Sequence, residues 1–211
     1  MHASGTGFPG CATLLKGSDM HEVIWHGRGG QGVVIAAQIL AESAYLQGFK
    51  GVTSAPTFGP ERRGAPLTAS TRISDDPIRT FSQIGQADIA VVLDPSLFGV
   101  VDIIGSLKPE GWLIVNTLQK ADEVDAKGCI NIAAVDAAAI AIRFHLLKDG
   151  APMDNTPMLG VFARATGLIS PEYLEKGLKW KLTGTAAETN IAALRAGYEE
   201  ASIKILDRDE K

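Results

Sequence analysis

Gly27-Arg28-Gly29-Gly30-Gln31-Gly32 restricts this chain more than any other segment. Its spacing is G-x-G-x-x-G. It follows a short apolar run, Glu22-Val23-Ile24-Trp25, that reads as a buried strand. After it, Val33, Ala36, Ala37, Leu40, Ala44 and Tyr45 recur at helical spacing, and Gly48 stands where a helix commonly ends. A glycine turn between a strand and a helix is expected to use its glycines differently. Gly27 would permit the tight bend, Gly29 would let a ligand approach the backbone, and Gly32 would let the helix pack closely on the strand. The unpaired N–H groups at the helix start favour an anion.

The rest of the chain continues the alternation. Gly51-Val52-Thr53 reads as a second strand, and a Pro- and Gly-rich loop covers 54–66. The alternating, β-branched run from Leu67 to Ile73 reads as a third strand. Asp88 to Leu93 is a continuous apolar run, the pattern of a central strand buried on both faces. Asp94-Pro95 reads as a helix cap followed by proline, opening a helix to about Gly105. Strands are expected at Trp112 to Val115 and at Cys129 to Ala133, and a helix from Asp136 to Leu147. Thr156-Pro157 and Ser170-Pro171 repeat the cap-then-proline signal. A last helix is expected over about Ala186 to Leu206. The fold class that follows is α/β: one Rossmann-like domain over 20–211, a mostly parallel sheet flanked by helices. Residues 1–19 are expected to be a flexible N-terminal extension or an expression remnant, with Met20 as the natural start.

Composition removes several function classes. The net charge of −4 and the lack of a basic stripe argue against nucleic acid. No run of about 18 apolar residues is present, so no membrane span is expected. Two cysteines, Cys11 and Cys129, cannot supply a four-cysteine iron–sulfur site, and the four histidines show no ligand-like pairing with them. No metal site and no catalytic residue is nominated, and the chain reads as cytoplasmic and reduced.

The candidate binding residues lie in two loops. The glycine loop, Gly27, Arg28, Gly29, Gly30, Gln31 and Gly32, admits three readings: a structural turn, an anion or phosphate site, or a nicotinamide site. The third expects a carboxylate at the end of the second strand, about 20 residues on, to hold a ribose. The stretch Phe49-Lys50-Gly51-Val52-Thr53 has none. The second loop, Pro56 to Pro66, carries Arg62 and Arg63 in a segment stiffened by Pro56, Pro60 and Pro66. Planar guanidinium forks there could clamp a phosphate or carboxylate, pair with Glu61, or meet another subunit. Asp94, Asn116 and Thr117 follow strands at the edge where α/β sheets bind ligands, although a helix cap is the better reading of Asp94. His26 reads as hydrogen-bonded structure rather than a base.

The combination is more specific than either loop. Strand, Gly-Arg-Gly-Gly-Gln-Gly and helix are followed by Phe58-Gly59-Pro60-Glu61-Arg62-Arg63-Gly64-Ala65-Pro66, Arg72 to Ile78, and Ala87-Asp88-Ile89-Ala90-Val91-Val92-Leu93-Asp94-Pro95. This order resembles the gamma subunit of the 2-oxoacid:ferredoxin oxidoreductases, the pyruvate branch in particular, from Met20 to about Tyr198. The stretches 155–160 and 190–198 resemble that family's C-terminal pattern. The resemblance implies a complex that oxidatively decarboxylates pyruvate or a related 2-oxoacid to acyl-CoA and passes electrons to ferredoxin. It implies thiamine diphosphate and iron–sulfur clusters on alpha, beta and delta partners, with no cofactor assigned to this chain alone. The thiamine motif begins Gly-Asp-Gly, whereas the only Asp-Gly here, Asp149-Gly150, lacks the leading glycine. Assembly and coenzyme A binding are the roles left to this chain, which is expected to be inactive alone and able to form a homodimer in isolation. The alternative is a stand-alone NAD(P)-binding oxidoreductase.

Overall fold

The computed structural model describes residues 20–56, 63–80, 82–126 and 130–206. Five strands run in one direction: β1 (Met20–Arg28), β2 (Gly51–Pro56), β4 (Ala87–Val92), β5 (Leu107–Asn116) and β6 (Asn131–Val135). Two oppose them: β3 (Pro66–Ser74) and β9 (Ser202–Lys204). The order in the seven-stranded sheet is β2-β3-β1-β4-β5-β6-β9. The parallel centre, β1-β4-β5-β6, carries the continuous apolar runs, as strands covered on both faces must. The α/β class expected from sequence holds, with antiparallel strands added at both edges. β2 begins where expected but runs on to Pro56, pairing antiparallel with β3.

One face of the sheet is covered by helices: α1 (Val33–Gln47), α2 (Ala137–Arg143), α3 (Asn155–Thr166), α4 (Pro171–Lys181) and α5 (Gly184–Glu200). Trp25 and Phe162 lie in this layer with ring centroids 6.2 Å apart. The other face is covered by turns and short 3-10 segments, Pro95–Gly99 and Ala121–Glu123, over Ala90, Val92, Leu113 and Val115.

Five expectations are corrected. The helix after Asp94-Pro95 is one 3-10 turn ending at Gly99, not a helix to Gly105. The Asp102 carboxylate accepts from Gly105 N–H at 2.9 Å, a local side-chain bond that competes with helix. The helix after Asp136 stops at Arg143, and His145 adopts φ 55. The chain then forms a two-residue-per-arm hairpin, β7 (Leu147–Lys148) and β8 (Ala151–Pro152). The N-cap of α3 is Asp154, two residues before the expected cap Thr156. Thr156 instead donates its hydroxyl to Asn190 Oδ1 at 2.8 Å, tying α3 to α5. The last helix ends at Glu200, and β9 returns as an edge strand on β6. β6 itself lies at 131–135 rather than 129–133, and Cys129 falls outside the described residues.

α3 is the buried centre of the helical layer, with eleven of its twelve residues buried. A helix that is apolar all round has to be enclosed, and α5 encloses it by direct backbone approach. A Cβ at Gly160 would stand 2.0 Å from Leu194 O, and one at Gly197 would stand 2.1 Å from Pro157 O. Neither neighbour is a flexible side chain that could swing away. Gly160→Ala is therefore expected to destabilise the fold by about 1–3 kcal/mol despite alanine's better helix propensity. Urea unfolding measures it, and an unchanged or higher midpoint would contradict this packing.

Candidate functional site

The glycine loop and the arginine loop are one unit. Gly29 N–H donates to Ala65 O at 2.9 Å, and Gly64 N–H donates to Gly29 O at 3.0 Å. Gly29 and Arg63 thereby form a short parallel bridge. Inside the loop, Arg28 N–H donates to Gln31 Oε1 at 2.7 Å and Gln31 N–H to Arg28 O at 3.1 Å. The glycines divide their work differently from the expectation. Gly27 is the close-packing position, since a Cβ there would lie 2.5 Å from Val33 Cγ2. Gly30 and Gly32 supply the turn, with φ 102 and 79, a region costly for other residues. Gly29 N–H, expected to face a ligand, is committed to Ala65.

Arg28 is committed too. Its Nε pairs with Asp94 Oδ2 at 2.7 Å, Nη1 donates to Gly64 O at 3.0 Å, and Nη2 donates to Ser96 Oγ at 2.8 Å. Asp94 also caps its 3-10 turn through Ser96 N–H at 3.0 Å, as the capping reading expected. Partial burial raises the Asp94 carboxyl, but the Ser96 hydrogen bonds and the Arg28 pair outweigh it and hold the pKa below its ordinary value.

Beside this unit lies a cleft of about 490 Å³. Gly29, Gly30, Gln31 and Gly32 form one wall with the first turn of α1, which has no side-chain cap and no acidic residue. Arg63 stands on a second side. The β7–β8 hairpin makes the third, with Lys148 and Asp149. Of the residues nominated from sequence, five line the cleft, Gly27 and Arg28 support it from behind, and Arg62 lies outside the described residues. Lys148 and the hairpin were missed. The signal was present in Asp149-Gly150, an Asp-Gly pair suited to a two-residue turn with both φ positive, here 51 and 79.

A buried polar group sits under the cleft. Asp154 is 3% exposed, its Oδ2 accepts from Asn116 Nδ2 at 2.9 Å, and its Oδ1 has no partner among the described residues. Asn116 donates to Leu93 O at 3.0 Å as well and accepts from Ala137 N–H at 2.9 Å, so it orders three elements rather than facing solvent. Met153, beside Asp154, lines the cleft, and Asn155 Nδ2 lies 3.5 Å from Gly32 O.

Burial pushes the Asp154 carboxyl up to about 7, and the nearby Asp94 charge acts in the same direction. His26 is also buried, neither ring nitrogen has a partner among the described residues, and burial pushes its pKa down to about 4. It is neutral at neutral pH and reads as structure, though without the hydrogen bond expected for it.

The two groups act on stability in opposite senses. The folded state holds a proton on Asp154 that the unfolded chain has released, so this group costs stability as pH rises from about 4 through 7. His26 resists the proton that the unfolded chain takes up, so it costs stability as pH falls from 6.5 toward 4. Asp154→Asn is expected to raise stability at pH 8 by roughly 2–4 kcal/mol, with the gain shrinking toward pH 4. Denaturant melts across pH test this, and a gain independent of pH would show that the carboxyl is not held neutral.

Known proteins agree with the fold. The model of the pyruvate ferredoxin/flavodoxin oxidoreductase family matches residues 22–200. The pyruvate/ketoisovalerate oxidoreductases common subunit gamma of Pyrococcus furiosus is 48% identical over 187 residues, covering 87% of this chain and 98% of that one. The gamma subunit of NADH-dependent phenylglyoxylate dehydrogenase from Aromatoleum evansii is 38% identical over 191 residues, covering 90% and 98%. The crystal structure of pyruvate oxidoreductase subunit PORC from Thermotoga maritima superposes with a TM-score of 0.76 at 34% identity, covering 89% of this chain and 99% of that chain. The chain belongs to the pyruvate ferredoxin/flavodoxin oxidoreductase family, as a subunit of gamma type.

Proposed function

We propose that this chain is the gamma subunit of a cytoplasmic complex that oxidatively decarboxylates pyruvate or a related 2-oxoacid. Coenzyme A takes the acyl group, carbon dioxide leaves, and two electrons pass to ferredoxin. The observation that carries the reading is the 48% identity to a common gamma subunit along almost its whole length. That relative's name joins pyruvate to ketoisovalerate, and a second relative's names phenylglyoxylate, so a gamma chain of this type serves more than one 2-oxoacid. Substrate choice then lies with the partner chains. Alpha, beta and delta partners supply thiamine diphosphate and the iron–sulfur clusters.

Within the complex the cleft takes a phosphate end of coenzyme A. Arg63 and Lys148 supply cationic donors, and the uncapped first turn of α1 supplies backbone N–H groups. A dinucleotide is disfavoured by topology. β3 lies between β1 and β2, and β2 ends at Pro56 with no carboxylate in its sequence, so the position that would hold a ribose is absent. Trp180 and Tyr45, 72% and 67% exposed on α4 and α1, are large aromatic side chains of the kind a partner chain buries.

Purified alone, the chain is expected to reduce no viologen with pyruvate and coenzyme A. Co-expressed with its partners, it is expected to yield a complex that does. Turnover by the isolated chain, or an active complex that forms equally well without it, would refute the assignment.

A further inference from the structure

The β7–β8 hairpin carries two charges of opposite sign into one cleft. Lys148 lines it, and the neighbouring Asp149 reaches across to Arg63, with Oδ2 3.2 Å from Nη1. The backbones on both sides are fixed independently of that contact. Arg63 is held by the bridge to Gly29 and by Gly64 N–H on Gly29 O. The hairpin is closed by its own strand pairing and by Met153 N–H on Leu146 O at 2.8 Å. The ion pair is therefore not needed to place either wall. Its side chains are 70% and 62% exposed, so it exchanges readily with solvent and shifts an equilibrium by no more than about fivefold.

We infer that Asp149 is a charge latch: its carboxylate occupies Arg63 while the cleft is empty and yields that guanidinium to an incoming phosphate. The inference rests on the reading of the cleft as an anion site and adds its regulation. Three features favour a latch over a brace. The contact joins the Arg63 side of the cleft to its hairpin side. The carboxylate is an oxyanion on a guanidinium, the same chemistry a phosphate would present there. Asp149 is itself the turn residue, at φ 51, and among the described residues its carboxylate has no hydrogen bond to the cleft besides that to Arg63. Displacement leaves Asp149 in water, where it needs no other partner, and leaves Lys148 beside the bound anion.

Asp149→Asn isolates the charge, because Asn-Gly suits the same turn. The test is calorimetric titration of the full-length chain with inorganic pyrophosphate at low salt. Wild type, Asp149→Asn, Arg63→Gln and the double variant are compared, with thermal melts expected to be alike. The latch predicts that Asp149→Asn binds up to about fivefold more tightly than wild type, since competition for Arg63 is removed. Arg63→Gln binds more weakly, and adding Asp149→Asn to it restores little. If wild type binds but Asp149→Asn binds no better, the latch is wrong and the anion site stands. An Asp149→Asn gain that persists at full size in the Arg63→Gln background also overturns the latch, because it marks a general field effect. Absence of binding by all four chains overturns the anion site and the latch together.

Discussion

Arg28 joins three segments through one guanidinium: the glycine loop that carries it, the turn at Gly64, and the Asp94-Pro95-Ser96 corner after β4. The cleft depends on this junction. Without it, Arg63 to Ala65, the described end of the segment before β3, would be held to the glycine loop by the hydrogen bonds around Gly29. A charge-assisted hydrogen bond contributes about 1.5–3 kcal/mol, and the partial exposure of this pair puts it toward the low end. A planar fork is needed because the three acceptors lie in three directions, and a lysine ammonium on a flexible stem would not reproduce that geometry. An arginine in the middle of a glycine-rich turn, which looks like an obstacle to a ligand, is thus what sets the turn against its neighbour.

The parallel centre was legible because its strands are buried on both faces and read as apolar runs, as in Asp88 to Leu93. The helices α1, α3 and α4 were legible from periodicity and from proline near their starts. What was not legible depended on tertiary partners. Nothing local reveals that β3 inserts between β1 and β2, or that Ser202–Lys204 leaves the last helix to pair with β6. The apparent helix after Asp94 failed because Asp102 satisfies a backbone N–H that a helix would have used. At the site, both loops could be named, but not the direction of their side chains. Arg28 looked as free as Arg63, and only the fold shows that its donors are taken. Asp154 gave no signal at all, because its burial comes from the packing of α3 beneath the sheet's edge.

The insertion of β3 bears on chemistry as well as topology. A strand–glycine loop–helix unit usually presents its loop to a dinucleotide spread across the neighbouring parallel strand. Here one neighbour, β3, runs the other way, and Arg63 to Ala65 just before it bond to Gly29 of the glycine loop. The same G-x-G-x-x-G spacing then borders a cleft that Arg63 and Lys148 also line.

The central claim is that this cleft serves coenzyme A in the assembled enzyme. It is tested most directly by the steady-state kinetics of the complex carrying Arg63→Gln together with Lys148→Gln. Loss of charge-assisted hydrogen bonds predicts a coenzyme A KM raised by roughly 10- to 150-fold with the pyruvate KM unchanged. A complex of normal subunit composition with an unaltered coenzyme A KM would contradict the account.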